Sequence, residues 1–288
     1  MNDRTLQLLR RTQLLRLLPL SAKRTIGGRN WHVPLTHHTG WSLLHDDMPY
    51  MSEVLRRALP LFPGPVVESL ASSGHFLLHV KAVDADRHVM LFAPQPACLT
   101  HLRRLAGMNR MAHVHIVDAM LAEASGSSPL HVFTGPGCDD TATLEPSWKF
   151  GFPAYRAVPV RTVSLDNHVM DQVTHGRMPA PGLVRIHARG AESRVLAGMS
   201  GVLRASRPLL CIQWPPVFRW EPPEHLHGQE AAEQLLHAHD YVLLQIRYDH
   251  LPLSLEPING PIGLQPDHGQ CTHLAVHRSR AAEIMSAF

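Results

Sequence analysis

Cysteine is scarce in this sequence, and its spacing excludes the usual cysteine chemistry. The four cysteines, Cys98, Cys138, Cys211 and Cys271, lie far apart and include no CxxC pair. A zinc ribbon, a thioredoxin-like redox motif and a dense disulfide framework are therefore excluded. The spacing instead favours a reduced cytoplasmic protein with buried thiols.

Charge of one sign is also scarce. The net charge is only +3 over 288 residues, and no stripe of lysine and arginine with interleaved aromatics occurs. The sequence therefore argues against a nucleic-acid-binding protein. No apolar run is long enough to predict a transmembrane segment. A hydrophobic content of 44% with 18% charged residues is typical of a globular protein.

Two kinds of catalytic motif are missing as well. No Gly-x-Ser-x-Gly sequence is present, so a hydrolase of that type would have no nucleophile. Histidine is abundant, with 22 residues. Three His-x-His pairs occur, at His113 and His115, His225 and His227, and His237 and His239. None has the further ligands at suitable spacing that a metal site needs, and we predict no metal site.

The N-terminal segment, residues 1–25, mixes leucines at helical spacing with arginines. This pattern predicts a basic amphipathic helix. Such a helix either packs on its own domain, which we favour, or binds a membrane surface or a partner. We divide the chain into residues 1–49, which hold this helix and an irregular lead-in with a short strand at Trp31–Leu35, and residues 50–288, the main domain.

The stretch from Pro65 to Pro96 predicts a strand, a tight turn, a helix and a second strand. The first strand begins at Val66, the turn of small residues ends at Gly74, and the second apolar run is Val89–Phe92. This order is typical of a parallel βαβ unit, in which a nucleotide-like ligand lies at the carboxyl ends of the strands. A glycine-rich turn would let the backbone approach that ligand, but this turn keeps only Gly74.

Apolar runs alternate with helical patterns along the rest of the chain. They predict a doubly wound, mostly parallel Rossmann-like α/β sheet whose last strands are antiparallel. Helices are expected at Met51–Leu61, Ala97–Met108, Ala191–Leu203 and Glu230–Ala238. Further strands are expected at His113–Val117, Leu130–Phe133, Val158–Leu165, Leu183–Ile186, Leu209–Ile212, Val242–Ile246 and Thr272–Val276.

Four segments resemble the motifs of one family, in the family's order. They are VVESLASSG at 66–74 beside Val-Val-Asp-x-Gly-Ala-Asn-x-Gly, LFAPQP at 91–96 beside Ala-Phe-Glu-Pro-x-Pro, Leu-Asp at 165–166 beside the Leu-Asp that ends a later strand, and VRIHARGAE at 184–192 beside Lys-Ile-Asp-x-Glu-Gly-Ala-Glu. Over roughly residues 45–278 the chain thus resembles the FkbM family of S-adenosylmethionine-dependent methyltransferases. The resemblance implies a methyltransferase sheet with Val66–Ser69, Val89–Phe92 and Leu183–Ile186 as adjacent parallel strands.

The resemblance also implies a site for S-adenosylmethionine. Its members here are Glu68, Ala71, Ser72, Gly74, Gln95 and Glu123. Two positions depart from the family pattern. Ala93 replaces the acid that accepts hydrogen bonds from both ribose hydroxyls, and Leu70 replaces a glycine that lets the backbone reach the methionine end of the cofactor.

The third departure reverses the charge of the catalytic region. His187 and Arg189 stand where the family pattern has two carboxylates, and Gln213 stands where it has a glutamate after the next strand. Glu192 is the acid that remains. If the protein is active, His187 and Glu192 are the catalytic candidates, and His187 or His75 would accept the proton of the acceptor hydroxyl.

Two classes of function follow from this sequence. The replaced residues favour a methyltransferase-like protein with a degraded cofactor site, weakly active or without cofactor, that acts as a regulatory partner of another protein or of a related methyltransferase. Residues 1–25 and the proline-rich segment 215–223 would be its contact surfaces. The alternative is an active O-methyltransferase that uses S-adenosylmethionine to methylate a hydroxyl of a sugar or glycan, a lipid or a secondary metabolite. In both cases we expect a cytoplasmic protein, bound at most peripherally to a membrane through residues 1–25.

Overall fold

Strands and helices alternate along the part of the chain that the computed structural model describes, residues 20–35, 40, 42–44, 48–133, 137–148, 154, 156–219, 221, 223–248 and 253–288. The strands are β1 Ser21–Ile26, β2 Arg29–Pro34, β3 Val66–Glu68, β4 Val89–Phe92, β5 Val114–Val117, β6 Met120–Leu121, β7 Gly126–Val132, β8 Arg156–Val163, β9 Leu183–Ile186, β10 Leu209–Gln213, β11 Tyr241–Arg247, β12 Ser254–Pro257 and β13 Thr272–His277. The α-helices are α1 Met51–Ala58, α2 His75–Val83, α3 Pro96–Met108, α4 Leu165–Thr174, α5 Glu192–Ala197, α6 Ser200–Ser206, α7 Pro223–Ala238 and α8 Ala281–Ser286.

The main sheet has eight strands in the order β12-β11-β13-β10-β9-β3-β4-β5. The pairs from β10 to β5 are all parallel, while β13 is antiparallel to both of its neighbours and β12 is antiparallel to β11. The predicted fold class, a mostly parallel sheet with antiparallel strands near the C-terminus, is therefore confirmed. So is the predicted adjacency of three segments, because β3 pairs with β4 on one side and with β9 on the other.

The central strands are buried on both faces, which explains why they read as continuous apolar runs. Neighbouring residues of β3 enter opposite cores: Val67 packs in one and Val66 in the other. Leucines from α5, α6 and α7 complete the first core, namely Leu196, Leu203 and Leu236. Leucines and one isoleucine from α1, α2, α3 and α8 complete the second, namely Leu55, Leu77, Leu102 and Ile284.

The side of β3 on which successive strands are added changes between β5 and β9. From β3 the sheet grows through β4 to β5, and the later strands β9 and β10 are added on the opposite side. Such a switch point opens a crevice at the carboxyl ends of the two strands, where ligands of doubly wound sheets bind.

The described part of the chain begins with a β-hairpin. Strands β1 and β2 pair around Gly27 and Gly28, whose φ angles of 63° and 80° fit a tight two-residue turn. The helix expected over residues 1–25 is wrong for residues 21–25, which lie in β1 because exposed and partly buried residues alternate there. Residues 1–19 lie outside the described residues.

Two of the expected strands belong to a separate sheet. The segment expected at Leu130–Phe133 lies in β7 and that at Val158–Leu165 in β8, and with β6 these form a three-stranded sheet. The reason is the pairing, because β7 pairs with β8 over its full length rather than with the main sheet.

Two further expectations are corrected around Asp166. Leu165 and Asp166 do not end a strand but begin α4, and the Asp166 carboxylate accepts backbone hydrogen bonds from Gly201 at 2.7 Å and Val202 at 2.8 Å. The helix expected over Ala191–Leu203 is therefore two helices, α5 and α6. Their break lies at Gly198, where a side chain would collide with the Ala122 carbonyl.

The expectation of four reduced thiols is wrong for one pair. Cys98, on α3, and Cys138, on the segment after β7, form a disulfide although they are 40 residues apart in sequence. Sequence spacing misses this pair because the fold alone brings the segment across the start of α3. The other two cysteines, Cys211 and Cys271, are buried free thiols as expected.

Candidate functional site

A cavity of about 370 Å³ lies at the carboxyl ends of β3, β9 and β10, at the switch point of the sheet. Its walls carry more polar and charged side chains than apolar ones. Stacked rings of Tyr50 and Tyr248, with centroids 4.1 Å apart, form one wall. A pocket of this size accepts a small metabolite or part of a larger one.

An opposite-charge pair forms the floor of the cavity. Glu68 ends β3 and Arg185 lies on β9, and the parallel register places their Cα atoms directly opposite each other. Their exposed fractions are only 5% and 3%. The Arg185 Nε and Glu68 Oε1 atoms are 3.7 Å apart, and neither Nε nor Glu68 Oε2 has a hydrogen-bond partner among the described residues.

Burial governs the protonation of this pair. It raises the pKa of Glu68 to about 7, and the positive charge of Arg185 offsets only part of that rise. At neutral pH the Glu68 carboxyl therefore exchanges readily between its protonated and ionised forms.

Neutral groups hold Arg185 in place. One terminal nitrogen donates to Oε1 of Gln213 at 2.7 Å, the other approaches the Met48 sulfur at 3.6 Å, and the guanidinium lies 4.7 Å from the centre of the Phe76 ring. The guanidinium is thus oriented by an amide, a thioether and an aromatic face rather than by a hydrogen-bonded carboxylate.

His187 and Arg189 extend the row of side chains that begins at Arg185, and all three line the cavity. Burial, followed by the charges of Arg189 and Arg185, lowers the pKa of His187 well below the usual value. This imidazole is therefore neutral at pH 7 and a weak base. Arg189 donates from Nε to the Asp140 carbonyl at 3.1 Å and lies over the Trp148 ring at 5.5 Å.

Glu192, the second catalytic candidate, does not line the cavity. Its two carboxylate oxygens accept backbone hydrogen bonds from Ala188 and Gly190, each at 2.9 Å. It is 3% exposed, and burial raises its pKa to about 7. The side chain thus holds the turn that carries His187 and Arg189.

The tip of β4 is closed, in contrast to the cavity. Ala93 is fully buried, and its amide donates to the Val117 carbonyl at 3.0 Å. The amide of Ala71, in the turn after β3, donates to the Phe92 carbonyl at 2.7 Å. The side chain of Leu70 packs in the same core as Phe92 and also lines the cavity.

Gln95 joins this tip to the segment after β7. Its amide nitrogen donates to the Asp139 carbonyl at 2.7 Å, and its amide oxygen accepts from the Asp139 backbone N–H at 2.9 Å. The neighbouring disulfide between Cys98 and Cys138 ties the same two segments covalently. Both polar atoms of the Gln95 side chain are therefore engaged within the protein.

The remaining residues of the expected cofactor site are dispersed. Ser72 lines the cavity. Gly74 has a φ of 79° and precedes α2, where a side chain would collide with Leu105. Glu123 forms two hydrogen bonds with Arg194, at 2.7 and 2.8 Å, and does not line the cavity.

Arg185 is the residue of the site that the sequence motifs do not single out. A signal for it exists, because a charged residue inside the apolar run LVRI is unusual. Once β3 and β9 are placed side by side, Arg185 falls opposite Glu68. The expected strand adjacency therefore contained this pair.

The described residues contain neither a cluster suited to a metal ion nor a membrane-spanning helix. Within them, no group of three or more histidine, cysteine, aspartate or glutamate residues is arranged to hold a metal ion. None of the helices described has the length and hydropathy needed to cross a lipid bilayer.

No family model matches the chain, and no curated protein matches it either. Solved structures with a similar fold include the methyltransferase FkbM from Methylobacillus flagellatus, at 15% identity and a TM-score of 0.45, covering 83% of this chain and 53% of that one. A putative SAM-dependent methyltransferase from Streptococcus mutans is 9% identical, with a TM-score of 0.42 and coverages of 90% and 55%. A precorrin-6y C5,15-methyltransferase from Geobacter metallireducens is 11% identical, with a TM-score of 0.38 and coverages of 78% and 84%. The chain thus spans about half the length of the first two. These similarities concern the fold alone.

Proposed function

We propose that this protein has a methyltransferase fold with a degraded site for S-adenosylmethionine, and that it is weakly active or acts as a non-catalytic partner. The proposal rests chiefly on the tip of β4. There a buried Ala93 and a Gln95 side chain bonded to Asp139 occupy the place where the resemblance puts the ribose of the cofactor.

The side chains at this tip do not fit the cofactor. Ala93 has no side-chain acceptor for the ribose hydroxyls, and losing a charged acceptor for hydroxyl groups costs about 1.5–3 kcal/mol. Gln95 could serve as a substitute only by giving up two hydrogen bonds to Asp139. The missing acceptor at Ala93 therefore lowers the affinity for the cofactor by roughly tenfold or more.

The turn after β3 also offers little room or bonding capacity to the cofactor. The Ala71 amide is already bonded to the Phe92 carbonyl, so it is not available to a ligand. Leu70 has a branched side chain where a glycine would leave room for the ligand. The turn and the strand tip thus support the same proposal through different atoms.

A partner role needs a contact surface. The proline-rich segment 215–223 lies partly within the described residues, and Pro215 and Pro216 line a second pocket of about 270 Å³ beside Trp148. We propose this face as a contact for a partner protein, which would be a related methyltransferase in the simplest case. The other expected surface, residues 1–25, lies mostly outside the described residues.

The alternative, an active O-methyltransferase, draws support from the cavity itself. His75 and His187 both line it, and either could accept the proton of a sugar, lipid or metabolite hydroxyl. The low pKa of His187 makes it a poor base, which favours His75 in that role.

Restoring the cofactor site tests the proposal. Wild-type protein should bind S-adenosylhomocysteine weakly or not at all in a calorimetric titration. The double variant Ala93→Glu with Leu70→Gly should bind it measurably, because the acid returns a charge-assisted hydrogen bond and the glycine returns backbone access. The matched control, Ala93→Gln with Leu70→Gly, should bind at least tenfold more weakly than the glutamate variant. If wild type already binds with a micromolar dissociation constant, the proposal is wrong and the active enzyme is favoured.

A further inference from the structure

We propose that the cavity at the switch point binds a small anionic ligand, through a carboxylate or phosphate group held by Arg185 and Arg189. This inference goes beyond the proposed function, because it concerns the open end of β9 rather than the closed tip of β4. It holds whether or not the protein binds S-adenosylhomocysteine.

Neither guanidinium forms a hydrogen bond to a carboxylate of the described residues, and Arg185 has only the long ion pair with Glu68, at 3.7 Å. Arg185 is held by Gln213 and Met48, and Arg189 by the Asp140 carbonyl. Buried cations are normally paired with an anion or bound to one. Arginine pairs are the favoured receptors for carboxylate and phosphate, because their planar nitrogens match the spacing of the oxygens.

The second argument is the unused hydrogen-bonding capacity at the floor. The Nε–H of Arg185 and Oε2 of Glu68 are both buried without a partner. A ligand oxygen between them could accept from Arg185 Nε and, when Glu68 is protonated, from the Glu68 carboxyl. One ligand oxygen would satisfy both atoms at once.

The third argument is the position of Arg189. Its Nε–H bonds to a backbone carbonyl, and no hydrogen bond from its terminal nitrogens occurs to any of the described residues. The turn that carries it has a left-handed backbone at Arg189, with φ of 56°, and is fixed by Glu192. A side chain on a strained and anchored turn is oriented in advance for a ligand.

The charge balance of the cavity depends on Glu68. Asp140 also lines the cavity and opposes an anion, whereas the two arginines attract it. Burial holds the Glu68 pKa near 7, so a bound anion would favour its protonated form and remove the second opposing charge. Anion binding should therefore take up a proton and weaken as pH rises above 7.

Other titratable groups line the cavity with Glu68 or lie close to it. They are Arg185 on β9, Cys211 on β10, His75 on α2, Tyr50 before α1, Tyr248 after β11, His268 before β13, and Asp140, His187 and Arg189 in the loops. Burial raises the pKa of Cys211 to about 11 and that of Tyr50 to about 12, so neither ionises between pH 7 and 9. A comparison of wild type with Glu68→Gln cancels the contribution of the histidines, because both proteins contain them.

The test is a calorimetric titration of the full chain with succinate and, separately, with inorganic phosphate. The proposal predicts saturable binding of at least one of them to the wild type, and the stronger of the two identifies the anionic group. Arg189→Gln should weaken that binding at least tenfold. The control Arg278→Gln changes an exposed arginine that pairs with Asp240, away from the cavity lining, and should bind like the wild type.

The pH dependence supplies a readout that does not depend on loss of folding. Between pH 7 and 9 the affinity of the wild type for the anion that binds should fall relative to that of Glu68→Gln, by at most tenfold per pH unit. Thermal unfolding checks that each variant is folded. The proposal is overturned if neither anion binds saturably to the wild type, or if Arg189→Gln and Arg278→Gln bind equally well.

Discussion

The carboxyl ends of neighbouring strands in the main sheet differ sharply in this protein. At the tip of β4 the polar atoms are already bonded to each other: Ala71 to Phe92, and Gln95 to Asp139. At the tips of β3 and β9 a cavity remains, and Glu68 and Arg185 keep polar atoms without partners.

The contrast teaches that one sheet can bond the polar atoms at one strand end and leave a polar cavity at the neighbouring ends. The packing of the sheet depends on apolar runs, which both ends share. The ligand contacts depend on a few side chains at strand ends, and these can change without altering the core. The following predictions break or sharpen this contrast, from the largest expected effect to the smallest.

Arg185→Met should have the largest effect, because it removes one partner of a buried ion pair. Breaking such a pair costs about 3–5 kcal/mol in the free energy of unfolding. Urea unfolding at pH 7.5 measures the loss. The control is Arg194→Met, which breaks the more exposed pair with Glu123 and should cost about 1 kcal/mol or less. Equal losses in the two variants would mean that the buried pair contributes no more to stability than the exposed pair between Arg194 and Glu123.

The disulfide beside the closed tip should contribute almost as much. Replacing Cys98 and Cys138 together by alanine frees a loop whose ends are 40 residues apart. Chain entropy then predicts a loss of about 4 kcal/mol in the free energy of unfolding. Addition of a thiol reductant should lower the stability of the wild type and leave that of the double variant unchanged. A thiol assay confirms that the reductant has opened the disulfide. If the free energy of unfolding of the wild type then stays unchanged, the prediction is wrong.

The buried Glu68 carboxyl should make stability depend on pH. Its pKa is raised in the folded state, so the folded protein binds more protons than the unfolded chain between about pH 4.5 and 7. The stability that protonation provides is complete below this range and is lost as pH rises through it. The difference in unfolding free energy between wild type and Glu68→Gln should fall by about 3 kcal/mol across the range, since one pKa unit is about 1.36 kcal/mol. A difference that stays constant or rises would contradict the raised pKa.

Gln95→Leu tests the bonds that close the tip of β4. It removes the two hydrogen bonds between the Gln95 side chain and the Asp139 backbone, which should cost about 1–3 kcal/mol in the free energy of unfolding. Chemical denaturation measures the change. The control Gln172→Leu lies on the exposed side of α4 and should change stability by less than about 0.5 kcal/mol. A neutral Gln95→Leu would show that the tip is not closed by these bonds.

Much of the fold could be predicted from the sequence, because its central strands are short apolar runs between turn signals. Val66, Val89 and Leu183 begin adjacent strands as expected. The small sheet could not be assigned, because strand patterns do not reveal which strands pair. Leu165 begins a helix that Ser164 caps by accepting a hydrogen bond from the Asn167 backbone N–H. The apolar run Val158–Leu165 hid this local signal.

The site was only partly accessible to sequence reasoning. The family resemblance singled out Ala93 in place of an acid, and His187 and Arg189 in place of carboxylates, and the functional consequence of these replacements stays a prediction. Residue types could not predict the bonding of Gln95 to Asp139 or the pairing of Cys98, because these partners follow a loop far along the chain. The same holds for the orientation of Arg185, which depends on side chains from several elements.

The most direct test of the account is the binding of S-adenosylhomocysteine to the unmodified protein with its disulfide intact. We expect the calorimetric titration to show no saturation up to about 1 mM ligand. The binding free energy would then be weaker than about −4 kcal/mol. Saturable binding with a micromolar dissociation constant would contradict this expectation, because the unmodified protein has no side-chain acceptor at Ala93 for the ribose hydroxyls.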